Sequence, residues 1–475
     1  LDRRWLSRGV SADVRVLGSI ELDEEQLPET HVKRELAGAI RHLGEVGSLV
    51  NPSDTDLAAL DAAIADAGAA DLLGATLCKQ LQEARNQLEA LSRQFDIVVA
   101  NPPYLGSKSF QPFLTKWMKD NYPDEKSDLC YAFINRICGM KKPGGEAGIT
   151  ATNSWMFLSS SEASRKKTLD KNEITSLVQL SVHGFKGIAA QIFAFTLIDK
   201  QSCGYKGGYV RLNDFDHHSL QEAKTLEAIK NPGCGWFHRA DASTFHDIPG
   251  SPIAYWASEA MHEAFKHKST IKQKIDIRLG MTTADNDQFV RFWWEPASSL
   301  ISLSPNNTNE VIKWCPYNKG GFFRKWFGNR YFIVNWENDG SSIRNIKDSN
   351  GRIRSTVPNE EFYFKECLTW SKVSSGAIAV RYLPNGSIFD VAGASGFGRH
   401  LDIVGSIAFL NSSVALSALS FMSPTLNFEG GQVRELPLFQ LQDEVYKLAN
   451  KNIGIARTDW DSQETSWDFK RNPLV

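Results

Sequence analysis

Phe95-Asp96-Ile97-Val98-Val99-Ala100 runs directly into Asn101-Pro102-Pro103-Tyr104, and this junction constrains the chain more than any other stretch. A nearly continuous apolar run of this kind reads as a strand that a parallel sheet buries on both faces. Two prolines fix φ and lack the N–H that a strand needs, so the strand stops at Asn101 and passes into a stiff loop. The Asn101 amide oxygen and the Pro102 carbonyl can then accept hydrogen bonds, and the Tyr104 ring can stack. Such a set suits a planar group with an exocyclic NH2. Asn-Pro alone is ordinary turn chemistry; the whole tetrapeptide after a buried strand is what points to a site.

Downstream lie Lys126-Ser127-Asp128-Leu129-Cys130-Tyr131-Ala132-Phe133-Ile134, then Lys142-Pro143-Gly144-Gly145-Glu146-Ala147-Gly148-Ile149-Thr150, then Asn153-Ser154-Trp155-Met156-Phe157-Leu158. They read as a helix, a Pro-Gly-Gly turn and a buried strand that ends in a polar-aromatic loop. With Asn101–Tyr104 the order resembles the amino-group methyltransferases that use S-adenosylmethionine (SAM). It is most similar to the PglX-type adenine-specific DNA methyltransferases of BREX phage-exclusion systems, which are related to the methyltransferase-plus-recognition half of single-chain restriction enzymes. Gly280-Met281-Thr282-Thr283-Ala284-Asp285-Asn286 with Phe289, Arg291 and Trp293-Trp294-Glu295 resembles the opening of that family's target-recognition domain. Further pieces are Pro316 to Gly321, Arg324-Lys325-Trp326, Asn335 to Gly340 and Asn427 to Gly431, so the likeness covers most of residues 95 to 470.

The resemblance implies an α/β fold: a partial SAM-dependent methyltransferase (Rossmann-like) sheet followed by a mixed α/β target-recognition domain. The implied division is 1–94, a tail of the cofactor half with a helical insertion; 95–215, the catalytic region; 216–274, a helical connector; 275–437, target recognition; and 438–475, a C-terminal helical segment. The implied activity is site-specific methylation of adenine N6 in double-stranded DNA. SAM is the methyl donor, the base is flipped out of the duplex, and other phage-exclusion proteins are partners. Asn101, Pro102, Pro103 and Tyr104 are the implied catalytic residues, and Asp128 is implied to shape the cofactor or base pocket. A helix N-cap is an equal reading of Asp128. Trp155 and Phe157 are candidates for the wall of the base pocket, with a core role as the alternative. For DNA contact the candidates are Asn286, Arg291, Asn318, Lys319, Arg324 and Lys325; phosphate, guanine-edge, turn-forming and solvated roles are all open to such residues.

One part of the family pattern is missing. A SAM site calls for a glycine-rich turn after one strand and an acidic residue at the end of the next. Upstream of Asn101 only Leu17-Gly18-Ser19 and Val46-Gly47-Ser48-Leu49 are candidates, and each fits a surface turn better. Since residue 1 is Leu, the expectation is an internal slice of a longer protein, with the SAM-binding motif N-terminal of Leu1 and catalysis incomplete in this chain alone.

Charge narrows the reading further. The net charge of −2 argues against a histone-like binder, yet residues 1–100 hold 10 Lys and Arg against 17 Asp and Glu, while residues 271–400 hold 17 against 12. The 7 cysteines are scattered without a Cys-x-x-Cys spacing, so neither a disulfide framework nor a zinc site is indicated. No run of about 18 apolar residues suggests a membrane span, and a cytoplasmic setting is expected. No Asp…Glu-x-Lys nuclease constellation stands out, and the proposed chemistry needs no metal. Two further readings stay open: the methylating and recognition part of a fused restriction-modification enzyme, and a non-catalytic DNA-recognition subunit. Protein-glutamine methylation also uses Asn-Pro-Pro-Tyr, but the long Trp- and Asn-rich second region argues against it.

Periodicity supplies the remaining elements. Residues 54 to 93 are Ala- and Leu-rich at helical spacing, with a break expected near Gly68 or Gly74. A short strand is expected at Val14 to Ile20, a helix at Asp128 to Met140, and strands at Ala147 to Thr152, Ser176 to Val182, Ile192 to Ile198 and Gly208 to Leu212. Asp443 to Ala456 reads as a late helix.

Overall fold

The computed structural model describes residues 12–22, 31–68, 72–186, 190–200, 204–266, 269–374, 376–422 and 427–471. The chain divides into two units, Leu1–Phe245 and His246–Val475.

In the first unit the helices α1 (Arg34–Arg41), α2 (Asp54–Gly68) and α3 (Leu72–Ser92), with a four-residue helix Leu43–Val46 between the first two, precede strand β1 (Phe95–Ala100). Of the two glycines the sequence offered for a helical break, Gly68 ends α2 and Gly74 lies within α3; residues 69–71 fall outside the described residues. Val14 to Ile20, expected as a strand, carries no strand; it is tied by Ile20 N–H to the Ile40 carbonyl at 3.2 Å, Gly18 N–H to Gln87 Oε1 at 2.9 Å and Gly44 N–H to Ser19 Oγ at 3.0 Å. After β1 come α4 (Pro112–Asn121), α5 (Leu129–Met140), β2 (Lys141–Thr152), α6 (Glu162–Lys171), β3 (Asn172–Gln179), β4 (Ile192–Asp199), β5 (Lys206–Arg211), α7 (His218–Lys230) and β6 (Phe237–Asp241). The six strands form one sheet in the order β1-β2-β4-β3-β5-β6. β1 pairs with β2 and β3 with β5 in parallel; the β2–β4, β3–β4 and β5–β6 pairs are antiparallel. The stretch read as a helical connector thus contributes α7 and an edge strand.

Pro143-Gly144-Gly145, read as a turn, lies inside β2, because Gly145 lets the strands close up: a Cβ there would meet the Asp96 carbonyl oxygen at 2.9 Å. Along α1–α3 the buried side chains, among them Ile40, Leu60, Leu81 and Leu88, share a core with Trp117, Met118, Leu129 and Ala132 of α4 and α5. Two polar ties fasten this helical layer. Arg136 of α5 is buried and donates to the Ser48 carbonyl (2.8 Å), Asn51 Oδ1 (2.7 Å) and the Leu91 carbonyl at the end of α3 (2.6 Å). Tyr122 donates its hydroxyl to the Leu49 carbonyl at 2.6 Å. β1, expected as a strand buried on both faces, is instead the sheet's edge: among the described residues it pairs with β2 alone, so Ile97 and Val99 are 67% and 79% exposed.

The second unit holds α8 (Glu259–Lys266), β7 (Asp276–Arg278), β8 (Val290–Phe292), β9 (Trp314–Asn318), β10 (Phe332–Asn335), β11 (Cys367–Ser371), β12 (Val380–Leu383), β13 (Ile388–Phe389), β14 (Gly393–Phe397), α9 (His400–Leu410), α10 (Ser413–Met422) and α11 (Asp443–Asp461). Its strands make two small sheets, β13-β9-β10-β8 and β12-β11-β14-β7. One core gathers Trp370, Ile403, Ile407 and Leu419; the other gathers Phe289, Tyr317, Trp336 and Phe389. Among the described residues no single helix is long and apolar enough to cross a membrane.

Replacing Arg136 by Met keeps its bulk but leaves two buried carbonyls and Asn51 without their donor. A loss of about 3 kcal/mol is expected, since a hydrogen bond from a charged donor contributes roughly 1.5–3 kcal/mol. For a unit of this size that corresponds to a melting point lower by roughly 6–12 °C in scanning calorimetry. An unchanged melting point would remove Arg136 from this role.

Candidate active site and recognition surface

The register of β1 on β2 pairs Ala100 with Ile149, so the next residues, Asn101 and Thr150, come side by side at the strand ends. Thr150 donates its hydroxyl to Asn101 Oδ1 at 2.6 Å, and the Tyr104 hydroxyl donates to Thr150 Oγ1 at 3.0 Å. A chain of hydroxyls therefore holds the Asn101 amide plane. The amide oxygen has two lone pairs, so one stays available while Thr150 occupies the other. Tyr104 keeps 36% of its surface exposed, and partial burial raises the pKa of its hydroxyl. The sequence reading missed Thr150; the signal was a hydroxyl residue near the end of the next parallel strand, legible only once the register is known.

Asp128 caps α5: its Oδ1 accepts from the Cys130 N–H at 2.9 Å. Burial pushes its carboxyl pKa up, against hydrogen bonds from the backbone of Cys130 and Leu105. Backbone bonds from Leu129 to Leu105 (2.9 Å) and from Ser107 to Ser127 (2.9 Å) tie the start of α5 to the loop that leaves Tyr104. Asp128 thus supports that loop.

Trp155 and Phe157, candidates for the base-pocket wall, are both buried. The Trp155 ring packs on Phe193 and Phe195, and its Nε1 donates to Ser164 Oγ at 3.1 Å, so it belongs to the core under the sheet. Asn153 pins the loop after β2, accepting from Gln179 Nε2 at 2.7 Å and donating to Gln191 Oε1 at 2.9 Å.

SAM is the implied cofactor, and its site calls for a glycine-rich turn after one strand and an acidic residue at the end of the next. Gly18 spends its N–H on Gln87 Oε1 at 2.9 Å, and Gly47 follows a four-residue helix at φ 57°. Neither stands at a strand end with an acidic partner. The described residues upstream of β1 therefore do not by themselves fit the cofactor. Among the described residues there is no cluster of three or more His, Cys, Asp or Glu that would hold a metal.

In the second unit the six DNA-contact candidates separate. Asn286, Arg291 and Lys319 line one hollow of about 320 Å³ together with Asp287, Phe292, Glu295 and Phe332. Half-burial there lowers the pKa of Lys319. Asn318 is buried between strands, its Nδ2 bound to Thr369 Oγ1 at 2.7 Å, so it is a pin of the sheet and not a surface group. Arg324 pairs with Asp459 of α11 at 2.8 Å, and Lys325 donates to the Asn411 carbonyl at 2.9 Å.

Residues 55–185 match the family model of the Eco57I restriction-modification methylase. That is the class a strand ending in Asn-Pro-Pro-Tyr at such a sheet defines. The chain is 40% identical over 405 residues to the adenine-specific methyltransferase PglX of Lacticaseibacillus casei (strain Zhang), covering 83% of this chain and 34% of that protein. It is 32% identical over 481 residues to the adenine-specific methyltransferase BrxX of Escherichia coli O9:H4 (strain HS), covering 99% of this chain and 38% of that protein. The chain belongs to this PglX-type family and spans roughly a third of the length of these relatives. Among solved structures it is similar to the type IIL restriction-modification enzyme MmeI in complex with DNA, at 12% identity and a TM-score of 0.49, over 82% of this chain and 52% of that one.

Calorimetric titration of the 475-residue chain with SAM is expected to give no saturable heat at micromolar cofactor. A micromolar dissociation constant would show that a cofactor cradle exists among these residues after all.

Proposed function

We propose that this chain is the base-gripping and DNA-recognising part of a site-specific DNA adenine-N6 methyltransferase that uses SAM and serves a bacterial phage-defence system. The observation that carries it is the Asn101 amide held by Thr150 and Tyr104 at a strand end, within a family whose curated members are adenine-specific methyltransferases.

Adenine's amino group lies inside the stacked duplex, so the nucleotide must rotate out into a pocket, at a cost of a few kcal/mol. Tyr104, partly exposed and tethered through its hydroxyl, offsets part of that cost by stacking on the extruded ring. The amino nitrogen is a weak nucleophile because its lone pair is delocalised into the ring. Asn101 Oδ1 and the Pro102 carbonyl accept its two N–H groups, draw the nitrogen towards tetrahedral geometry and free the lone pair. Thr150 acts one step back, as a positioning residue. Its hydroxyl makes the Asn101 oxygen, and not the NH2, face the base; the proline pair keeps the second acceptor from drifting. Target choice is assigned to the second unit, whose hollow around Asn286, Arg291 and Lys319 combines a guanidinium, an ammonium and an amide in one place.

Two measurements in the full-length polypeptide test this. Asn101→Ala is expected to abolish adenine methylation while sequence-specific DNA binding is retained, and Thr150→Val to lower methylation about 10-fold, the order of one hydrogen bond. Near wild-type methylation in Asn101→Ala would refute the clamp. Exchanging residues 275–437 for the matching region of a relative is expected to change the methylated sequence and keep N6-methyladenine as product, read by long-read sequencing of host DNA. An active hybrid that still marks the original sequence would place recognition elsewhere.

A further inference from the structure

Phe322 and Phe323, at the tip of the loop that leaves β9, are 86% and 56% exposed. Adjacent rings left in water are costly, because each withholds an aromatic side chain's worth of burial. Their exposure does not come from a slack backbone. Gly320 (φ 82°) and Gly321 (φ 135°) take conformations that favour glycine, and a Cβ on Gly321 would meet Asn329 Nδ2 at 2.9 Å. Ser371 Oγ donates to the Gly321 carbonyl at 2.8 Å, and the buried Asn329 donates from Nδ2 to the Phe322 carbonyl at 2.8 Å. Beyond the rings, Trp326 exchanges backbone bonds with Val380 (2.9 Å) and Tyr382 (2.8 Å). The loop is thus clamped on both sides of the tip, and the tip holds the rings outward.

The charge around this tip is unbalanced. Arg381 of β12 is buried beneath the loop, where Nη1 donates to the Arg324 and Ala379 carbonyls, while Nε and Nη2 have no partner among the described residues. Lys325 is bound to a neutral carbonyl, whereas Lys319 next to Gly320 feels the carboxylates of Asp390 and Asp287. Arg324 is paired with Asp459. An apolar protein partner would be served by the rings alone and gains nothing from the two cations, Lys325 and Arg381, that have no carboxylate among the described residues. A polyanion with flat apolar groups stacked inside it uses both.

We infer that Phe322 and Phe323 form a preorganised wedge that enters DNA and stacks against bases at a partly opened step, while Lys325 and Arg381 supply positive potential towards the flanking phosphates. Apolar side chains inserted in this way recover the cost of unstacking through new ring contacts and a bent duplex that touches more protein. This rests on the DNA-modifying reading above and adds to it residues that no hydrogen-bonding pattern in the sequence would reveal.

The test uses the full-length polypeptide and target duplexes with 2-aminopurine placed singly along the site. In the wild-type complex one step besides the flipped target adenine is expected to brighten, and that second signal to be lost in Phe322→Ala/Phe323→Ala with at least 10-fold weaker specific binding, the order of the stacking lost. Phe322→Trp is expected to keep both. Because the rings are exposed, the double variant keeps its melting temperature, which separates loss of stacking from loss of fold. If wild-type protein binds and methylates its target but the double variant does so within twofold with an unchanged fluorescence pattern, the wedge is overturned and the DNA reading stands. If the wild-type protein binds no DNA at all, both fall.

Discussion

Everything at the site depends on the parallel register between β1 and β2. Pairing Ala100 with Ile149 brings an amide and a hydroxyl, far apart in sequence, to hydrogen-bonding distance where both strands end. A slip of one residue would turn Thr150 to the opposite face, because side chains alternate along a strand. The register is held by a feature that looked like a turn: glycine at 145 lets the β1 backbone come close enough for the ladder to begin. The layer behind it is fixed by polar means as much as by burial. Arg136 and Tyr122 give their donors to carbonyls of the segment between α1 and β1, which binds the helical layer to the helices beside the sheet.

The sequence was most readable where local chemistry decides structure. The strand before Asn101, the stop imposed by two prolines, the cap at Asp128 and the end of α2 at Gly68 all follow from residue types a few positions apart. What could not be read depends on partners distant in the chain. Thr150 gains its meaning from a neighbour 49 positions away, and Trp155 is in the core because Phe193 and Phe195 cover it. Asn318 looked like a turn residue in a basic stretch, but its amide is spent on Thr369 inside a sheet. The Val14 to Ile20 stretch had the composition of a strand and found no partner strand.

The second unit inverts the usual division of labour between polar and apolar side chains. Asn318, Lys325 and Arg381 are used to brace its interior or its loops, while Phe322 and Phe323 stand in solvent. Counting basic residues along this region would therefore misjudge which groups are free to meet a ligand. The C-terminal helix α11 is part of the same economy, since Asp459 pairs with Arg324 of the loop.

The outer flank of β1 carries a consequence for how the sheet can be extended. Among the described residues one side of this strand has no partner strand, and Ile97 and Val99 beside it are exposed, so the six-stranded sheet can take a further strand at this edge, whichever chain provides it. Asn101 would then follow an interior strand, held by ladders on both sides, and not an outer one.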